Sequence, residues 1–168
     1  RLKWDDNGYV NAIRTISKKR LVFYVNAYQS WLWNKAVEEY LSLFEKKPRE
    51  KPLKIWKVDY SMGELIFSDE RIDNRDVPVI GYNSELGEFK EIYDKLLEEE
   101  KLKQEEFLIR EIPELISEGT TRKLYCDVKD FNVSYSDDER HRNKKKAVVS
   151  FTLGSGSYAT IVIKKMFG

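Results

Sequence analysis

Gly156-Ser157-Tyr158-Ala159-Thr160-Ile161-Val162-Ile163-Lys164-Lys165 is the stretch from which the rest of the chain is best read. It follows Gly154-Ser155, so two glycines fall within three positions. They let the backbone take a positive φ or approach another group closely. The largely β-branched run from Tyr158 to Ile163 then reads as a buried strand that ends on a lysine pair.

Working back from that run, the C-terminal third alternates in the manner of strands. Lys123–Cys126, Val128–Tyr135, Ala147–Leu153 and Tyr158–Ile163 make a four-strand meander. The amino-terminal part is different. Residues 1–17 carry few apolar residues and an Asp5-Asp6-Asn7-Gly8 turn signal, which suggests an irregular lead-in. From Lys18 to Phe44, Leu21, Val25, Tyr28, Leu32, Ala36 and Tyr40 recur at spacings of three and four, with Trp31, Val37 and Phe44 widening the stripe. This predicts one long helix, ended by Pro48. Asn26, Gln29, Ser30, Lys35, Glu38 and Glu39 take its other faces. Strands are expected around Leu53–Val58 and Leu65–Phe67, and an apolar run at Val77–Tyr82. Leu86, Phe89, Ile92, Tyr93, Leu96 and Leu97 mark a second, amphipathic helix. Helical content from Leu108 to Ile116 is interrupted by Pro113 and ends at Gly119. The order of elements predicts an α+β fold.

Composition narrows the class. The 168 residues suit one domain or a domain with an annex, and 41% hydrophobic content supplies a core. Thirty Lys and Arg against 29 Asp and Glu leave a net charge of +1, so any basic surface must arise by segregation of charge. The single cysteine, Cys126, excludes a disulfide framework and a multi-cysteine zinc site, and fits a reducing cytoplasm. In a strand it reads as a packed thiol. No apolar stretch approaches the roughly 18 residues that cross a bilayer, so no membrane partner is expected. A first residue that is Arg1 suggests a piece of a longer polypeptide.

Most chemical constellations have bland readings. His141 has no second histidine, so neither a zinc pair nor a histidine triad can be built. Asp69, Glu70, Asp73 and Asp76 lack a calcium-loop pattern, and Gly154–Ser157 is not followed by the lysine of a phosphate loop. Between two strands, Ser136–Lys146 holds five basic residues. Arg140, Arg142, Lys144 and Lys145 are candidates for RNA phosphates. A solvated hairpin tip whose acids offset its bases is the weightier alternative. Aromatics interleave with bases at Trp4, at Arg20 with Phe23 and Tyr24, at Trp56 with Lys57, and at Tyr82. Stacking on a splayed base is one use for them. For Phe23, Trp31 and Trp33 on a long helix, core packing is the stronger reading.

The C-terminal stretch and Asn26-Ala27-Tyr28-Gln29-Ser30-Trp31-Leu32-Trp33-Asn34 together resemble the TruD-type tRNA pseudouridine synthases. That family carries a helix like "SAYQSxLFN" and a later strand like "LPxGSYATxVLRE". Three further segments fit in order. Val79–Leu86 resembles "LPGYxxxL", Gly119–Leu124 resembles "GxYRxL", and Val128–Phe131 resembles "xPxDL" without its proline. The resemblance covers nearly the whole chain. It implies isomerisation of uridine to pseudouridine in tRNA, typically at position 13, with no metal or organic cofactor. It also implies a catalytic domain interrupted by an inserted mixed α/β domain: residues 1–48 a catalytic-domain helix, 49–140 largely the insertion, and 141–168 strands returning to the catalytic sheet.

The family's nucleophilic aspartate lies in a "GxKDxxAxTxQ" stretch, and its pocket uses "NxF" and "QRFG". None occurs here. The resemblance therefore implies the C-terminal half of an enzyme whose catalytic aspartate lies upstream, with tRNA and the N-terminal catalytic half of the same protein as partners and the cytoplasm as location. Lys164 matches the arginine of "VLRE" and is the candidate for a basic residue that keeps that aspartate ionised. Lys165 replaces the acidic neighbour, and lysine lacks the bidentate fork of arginine. Tyr28, Gln29, Asn34, Gly156, Ser157 and Tyr158 are the substrate-binding candidates. For Tyr28 and Gln29 a structural hydrogen bond is as good a reading. The alternatives are a non-catalytic RNA-binding module of the same fold, or a partner-binding domain with no RNA role.

Overall fold

A computed structural model describes residues 6–45, 55–60, 63–68, 73–155 and 157–167. Among these residues, four α-helices and six strands follow in the order α1 (Asp6–Arg14), α2 (Lys18–Glu45), β1 (Ile55–Tyr60), β2 (Gly63–Ser68), β3 (Asp76–Val79), α3 (Lys90–Glu99), β4 (Thr120–Lys123), β5 (Val128–Asp137), β6 (Lys145–Leu153) and α4 (Ala159–Phe167). The content is α+β, as expected. The strands form three two-stranded sheets, β1–β2, β3–β4 and β5–β6. Two compact units result. One comprises Arg1–Trp56 with Ser68–Leu124, the other Lys57–Phe67 with Tyr125–Gly168.

The first unit is organised by α2. Its sequence has neither glycine nor proline over 28 residues, which lets the helix run uninterrupted. Its start follows Ser17, whose carbonyl receives the N–H groups of Arg20 and Leu21. The buried residues are Gln29, Leu32, Trp33, Ala36, Val37, Tyr40 and Leu41. That stripe is rotated from the expected one, for Gln29 lies inside while Trp31 lies outside. The reason is that α2 packs on both α3 and β3, so the two layers beneath it, and not the apolar character of its own faces, fix its rotation. Leu86, Phe89, Ile92, Tyr93 and Leu97 face the same core, as expected for the second helix. Tyr40 ties the layers together, with its ring centroid 4.7 Å from that of Phe89.

β3 is the innermost strand of this unit. Val77 and Ile80 are wholly buried. A two-stranded sheet leaves each strand one edge without a backbone partner, and an unpaired buried carbonyl is costly. Every carbonyl from Val77 to Gly81 receives a side-chain donor, and that of Gly81 also accepts the Ser84 N–H. Trp33 Nε1 donates to Val77 O at 3.3 Å, Tyr93 Oη to Pro78 O at 2.5 Å and Ser84 Oγ to Val79 O at 3.3 Å. Gln29 Nε2 donates to Ile80 O at 2.5 Å, and Gln104 Nε2 to Gly81 O at 3.1 Å. Beyond β3, Gly81 passes so close to the segment before β4 that a Cβ on it would lie 2.4 Å from Glu118 C and Gly119 N. Gly119 in turn leaves no room, since its Cβ would lie 1.9 Å from Ser84 Oγ.

Four local expectations are corrected. Residues 6–14 are helical, not an irregular lead-in, and Arg14 Nη2 anchors α1 by donating to Glu111 O at 3.0 Å. The meander is absent among the described residues. β4 pairs antiparallel with β3, from Asp76–Lys123 to Val79–Thr120, whereas β5 pairs only with β6. Cys126 lies outside β4 and is exposed, because the strand ends at Lys123 and Leu124 turns inward to bury its side chain. Tyr158–Ile163 is not a strand: Ala159–Phe167 is the helix α4. No strand among the described residues pairs with this run, and a short apolar segment without a ladder satisfies its backbone groups by coiling.

Replacing Gly81 with alanine is expected to destabilise the fold by about 3 kcal/mol or more, since backbone must move to admit the methyl group. Gln29→Leu, which removes the donor to a buried carbonyl, is expected to cost about 1–3 kcal/mol. Urea unfolding followed by circular dichroism measures both. Midpoints unchanged from the parent chain would show that neither contact is formed.

Candidate functional site

The residues singled out in the sequence fall in three places. Tyr28, Gln29 and Asn34 lie on α2 in the first unit. Arg140, Arg142, Lys144 and Lys145 lie at the tip of the β5–β6 hairpin in the second. Ser157, Tyr158 and Lys164 lie in the turn before α4 and in α4 itself. Gly156 lies outside the described residues.

On α2, neighbouring side chains have different fates. Gln29 is 4% exposed and committed to the Ile80 carbonyl, so its role here is structural. Tyr28 is half-buried, stacks on Trp31 at 5.7 Å between centroids, and donates its hydroxyl to Glu100 Oε2 at 2.9 Å. Burial first, and then the hydrogen bond to the Glu100 carboxylate and its charge, push the Tyr28 phenol up to about 12. It is a neutral donor at physiological pH, and it joins α2 to the end of α3. Asn34 is exposed. The expectation that Phe23, Trp31 and Trp33 pack in the core holds for Trp33 alone. Trp33 is buried beneath the Arg122 guanidinium, 5.1 Å from its ring centroid, whereas Phe23 and Trp31 are 58% and 36% exposed.

The hairpin tip is built by its own acids. Asp138 Oδ1 accepts the N–H groups of Arg140 at 2.8 Å and His141 at 3.1 Å, and Oδ2 lies 3.1 Å from His141 Nδ1. The Arg140 N–H foremost, together with these His141 groups, holds the Asp138 carboxyl below the usual carboxylate range. Asn143 takes φ +63°, a conformation that asparagine tolerates better than most residues. Lys145 pairs with Asp137 and Lys146 with Glu139, each at 2.5 Å. The charge offset expected of a solvated tip thus accounts for two of the five bases. Arg140, Arg142 and Lys144 are exposed and form no ion pair among the described residues. The strands beneath are long and amphipathic, with Val133 opposite Val149 and Tyr135 opposite Ala147 on one face.

At the C-terminal end, Ser157 N donates to Gly154 O at 3.2 Å and Ile161 N to Tyr158 O at 3.0 Å, so the turn leads straight into α4. Tyr158 is 68% exposed. Lys164 and Lys165 occupy the last turn of the helix, where the carbonyl end of the helix dipole favours cations. No cluster of three metal-ligating side chains occurs among the described residues. No described helix is long and apolar enough to cross a membrane.

Two of the short motifs meet in space. Val79–Leu86 and Gly119–Leu124 are held together by the Gly81–Gly119 approach, by Gly119 N donating to Asn83 Oδ1 at 2.9 Å, and by Tyr82 N donating to Ser117 O at 3.0 Å. Their glycines therefore have one shared physical cause, which spacing alone does not reveal.

The family model described as "tRNA pseudouridine synthase D (TruD)" matches residues 1–166. The chain belongs to the TruD family. It is 33% identical over 96% of its length to "Probable tRNA pseudouridine synthase D 2" of Methanocaldococcus jannaschii, covering 39% of that protein. To "tRNA pseudouridine synthase D" of Aquifex aeolicus it is 29% identical over 95% of its length, covering 40%. It therefore spans about two fifths of the length of these relatives. A Methanosarcina mazei protein crystallised under the name tRNA pseudouridine synthase D shares the fold, with a TM-score of 0.62, 24% identity, 96% of this chain covered and 41% of that one.

The elevated Tyr28 phenol gives a pH dependence. Unfolded, the group ionises near its ordinary value of 10.0; folded, it does so near 12. Between those values the folded state holds more proton, so the stabilisation present below pH 10 is lost as pH rises toward 12. Tyr28→Phe is expected to make the alkaline decline of the urea midpoint shallower. Tyr93, whose phenol burial also raises, supplies part of the slope that remains. An identical decline in the variant would exclude the Tyr28–Glu100 bond as its source.

Proposed function

We propose that this chain is the C-terminal portion of a tRNA pseudouridine synthase, working in the cytoplasm with an N-terminal portion that carries the catalytic aspartate. The reaction converts uridine, at position 13 by the family's pattern, to pseudouridine. The glycosidic bond from C1′ to N1 breaks, the base turns, and C1′ joins C5, with a proton leaving C5 and one returning to N1. The match to the TruD family model over residues 1–166 carries this reading, and the names of the relatives support it.

In this reading residues 1–48 and 141–168 belong to the catalytic part and 49–140 to the inserted domain. The target uridine must leave its stack to be reached. Tyr28, Asn34, Gly156, Ser157 and Tyr158 are proposed to contact it or the part of the enzyme that holds it. Lys164 would act by charge, favouring the ionised form of the aspartate. Arg140, Arg142 and Lys144 carry no ion pair among the described residues that competes with phosphate, and we assign them to the RNA backbone.

Two measurements test the proposal. The chain is co-expressed with the three fifths of the M. jannaschii relative that it does not match, and pseudouridine in tRNA is read by carbodiimide modification and primer extension. Pseudouridine is expected, and Lys164→Ala is expected to lower turnover about tenfold or more with tRNA affinity held within about twofold. Unchanged turnover would remove Lys164 from the mechanism. Tight, salt-sensitive tRNA binding with no product would instead favour the RNA-binding module. Replacing Arg140, Arg142 and Lys144 with glutamine should lower the slope of log affinity against log salt by about 2, at roughly 0.7 per lost phosphate contact. An unchanged slope would place the RNA elsewhere.

A further inference from the structure

α2 has a second apolar face. From Leu21 to Asn34 the helix carries no charged side chain, in a chain of which 35% is charged. Gln29, Leu32, Trp33 and Ala36 use one side of it against β3 and α3. At about 100° per residue, Phe23, Tyr24, Ala27 and Trp31 fall on the opposite side. Phe23 is 58%, Tyr24 56% and Trp31 36% exposed, and Ala27 is exposed as well. Phe23 and Tyr24 meet edge to face at 6.0 Å, and Trp31 stacks on Tyr28 at 5.7 Å one to two turns further along. A helix that is apolar all round is ordinarily covered all round, and a contiguous exposed apolar surface marks an interaction site.

We infer that Phe23, Tyr24, Ala27 and Trp31 form the seat on which the remaining three fifths of a TruD enzyme packs through an apolar protein surface. The inference rests on the functional reading above and names the interface that reading requires. Length supports this occupant, since the chain accounts for 39% and 40% of two relatives and the rest of such a protein must meet it somewhere. Charge supports it too. The face has no cation between Leu21 and Asn34, whereas RNA brings phosphates that need cations beside the stacking rings. Lys18, Lys19 and Arg20 precede the face, and Lys35, which follows it, is paired with Glu38.

The test is co-expression of the chain with an affinity-tagged copy of the part of the M. jannaschii relative that it does not match, followed by co-purification and measurement of the complex's dissociation constant. A complex is expected. Tyr24→Asp and Trp31→Asp should each weaken it about tenfold or more, with circular dichroism unchanged, since neither side chain is in the core. Leu43→Asp, at an exposed position of α2 away from the seat, should leave it within about twofold. Several results would overturn the inference: no co-purification, equal affinity in all variants, a dimer of this chain that Trp31→Asp dissolves, or a loss of tRNA affinity in the isolated variants. A complex that forms and is sensitive to both substitutions, but makes no pseudouridine, would sustain the interface and sink the functional reading. Pseudouridine formed equally well by every variant would do the reverse.

Discussion

The first unit depends on a short backbone segment being buried without a full sheet around it. Val77 to Gly81 runs through the core, and a two-stranded ribbon cannot supply partners for all of its carbonyls. The solution is dispersed across the sequence. Trp33 and Gln29 reach in from α2, Tyr93 from α3, Ser84 from the following turn and Gln104 from beyond α3. Each donor belongs to an element that must already be in position, so the hydrogen bonds and the packing of α2, α3 and β3 are one cooperative arrangement. The same constraint explains why glycine stands at 81 and 119, where backbone meets backbone or the Ser84 side chain with no room for a β-carbon.

The second unit is held differently. Its long hairpin is stabilised by its own ladder, by the facing pairs Val133–Val149 and Tyr135–Ala147, and at the tip by Asp138. That carboxylate, engaged with three nitrogens, fixes the turn and leaves Arg140, Arg142 and Lys144 outside the local ion pairs. Such an element suits contact with an anionic polymer. Its shape comes from short-range bonds, while its unspent charge points outward.

The TruD relationship gives these features a common frame. The "SAYQS"-like segment is where α2 changes character. One side of it supplies Gln29 and Trp33 to the core, and the other presents Phe23, Tyr24 and Trp31 to solvent. The exposed apolar face of α2, in a chain two fifths as long as its relatives, is the feature on which the proposed seat for the rest of such a protein rests.

Much was legible in the residues themselves. The 3.6-residue period placed α2 and α3, and five short motifs in order identified the family. These depend on local propensity and pattern, which sequence carries directly. Other features depended on what stands beside a segment. Tyr158–Ile163 has the composition of a strand, but a strand exists only with a partner, and none among the described residues pairs with it, so α4 forms. β4 found β3 and not β5 because pairing is a long-range choice. Gln29 looked like a surface polar residue until β3 presented a carbonyl within its reach, and Phe23 and Trp31 looked like core until the core turned out to lie on the helix's other side. Sequence determined the helices α2 and α3 and the family to which the chain belongs. Tertiary contact alone decided which face of each helix is buried, because burial is a property of the neighbour as much as of the residue.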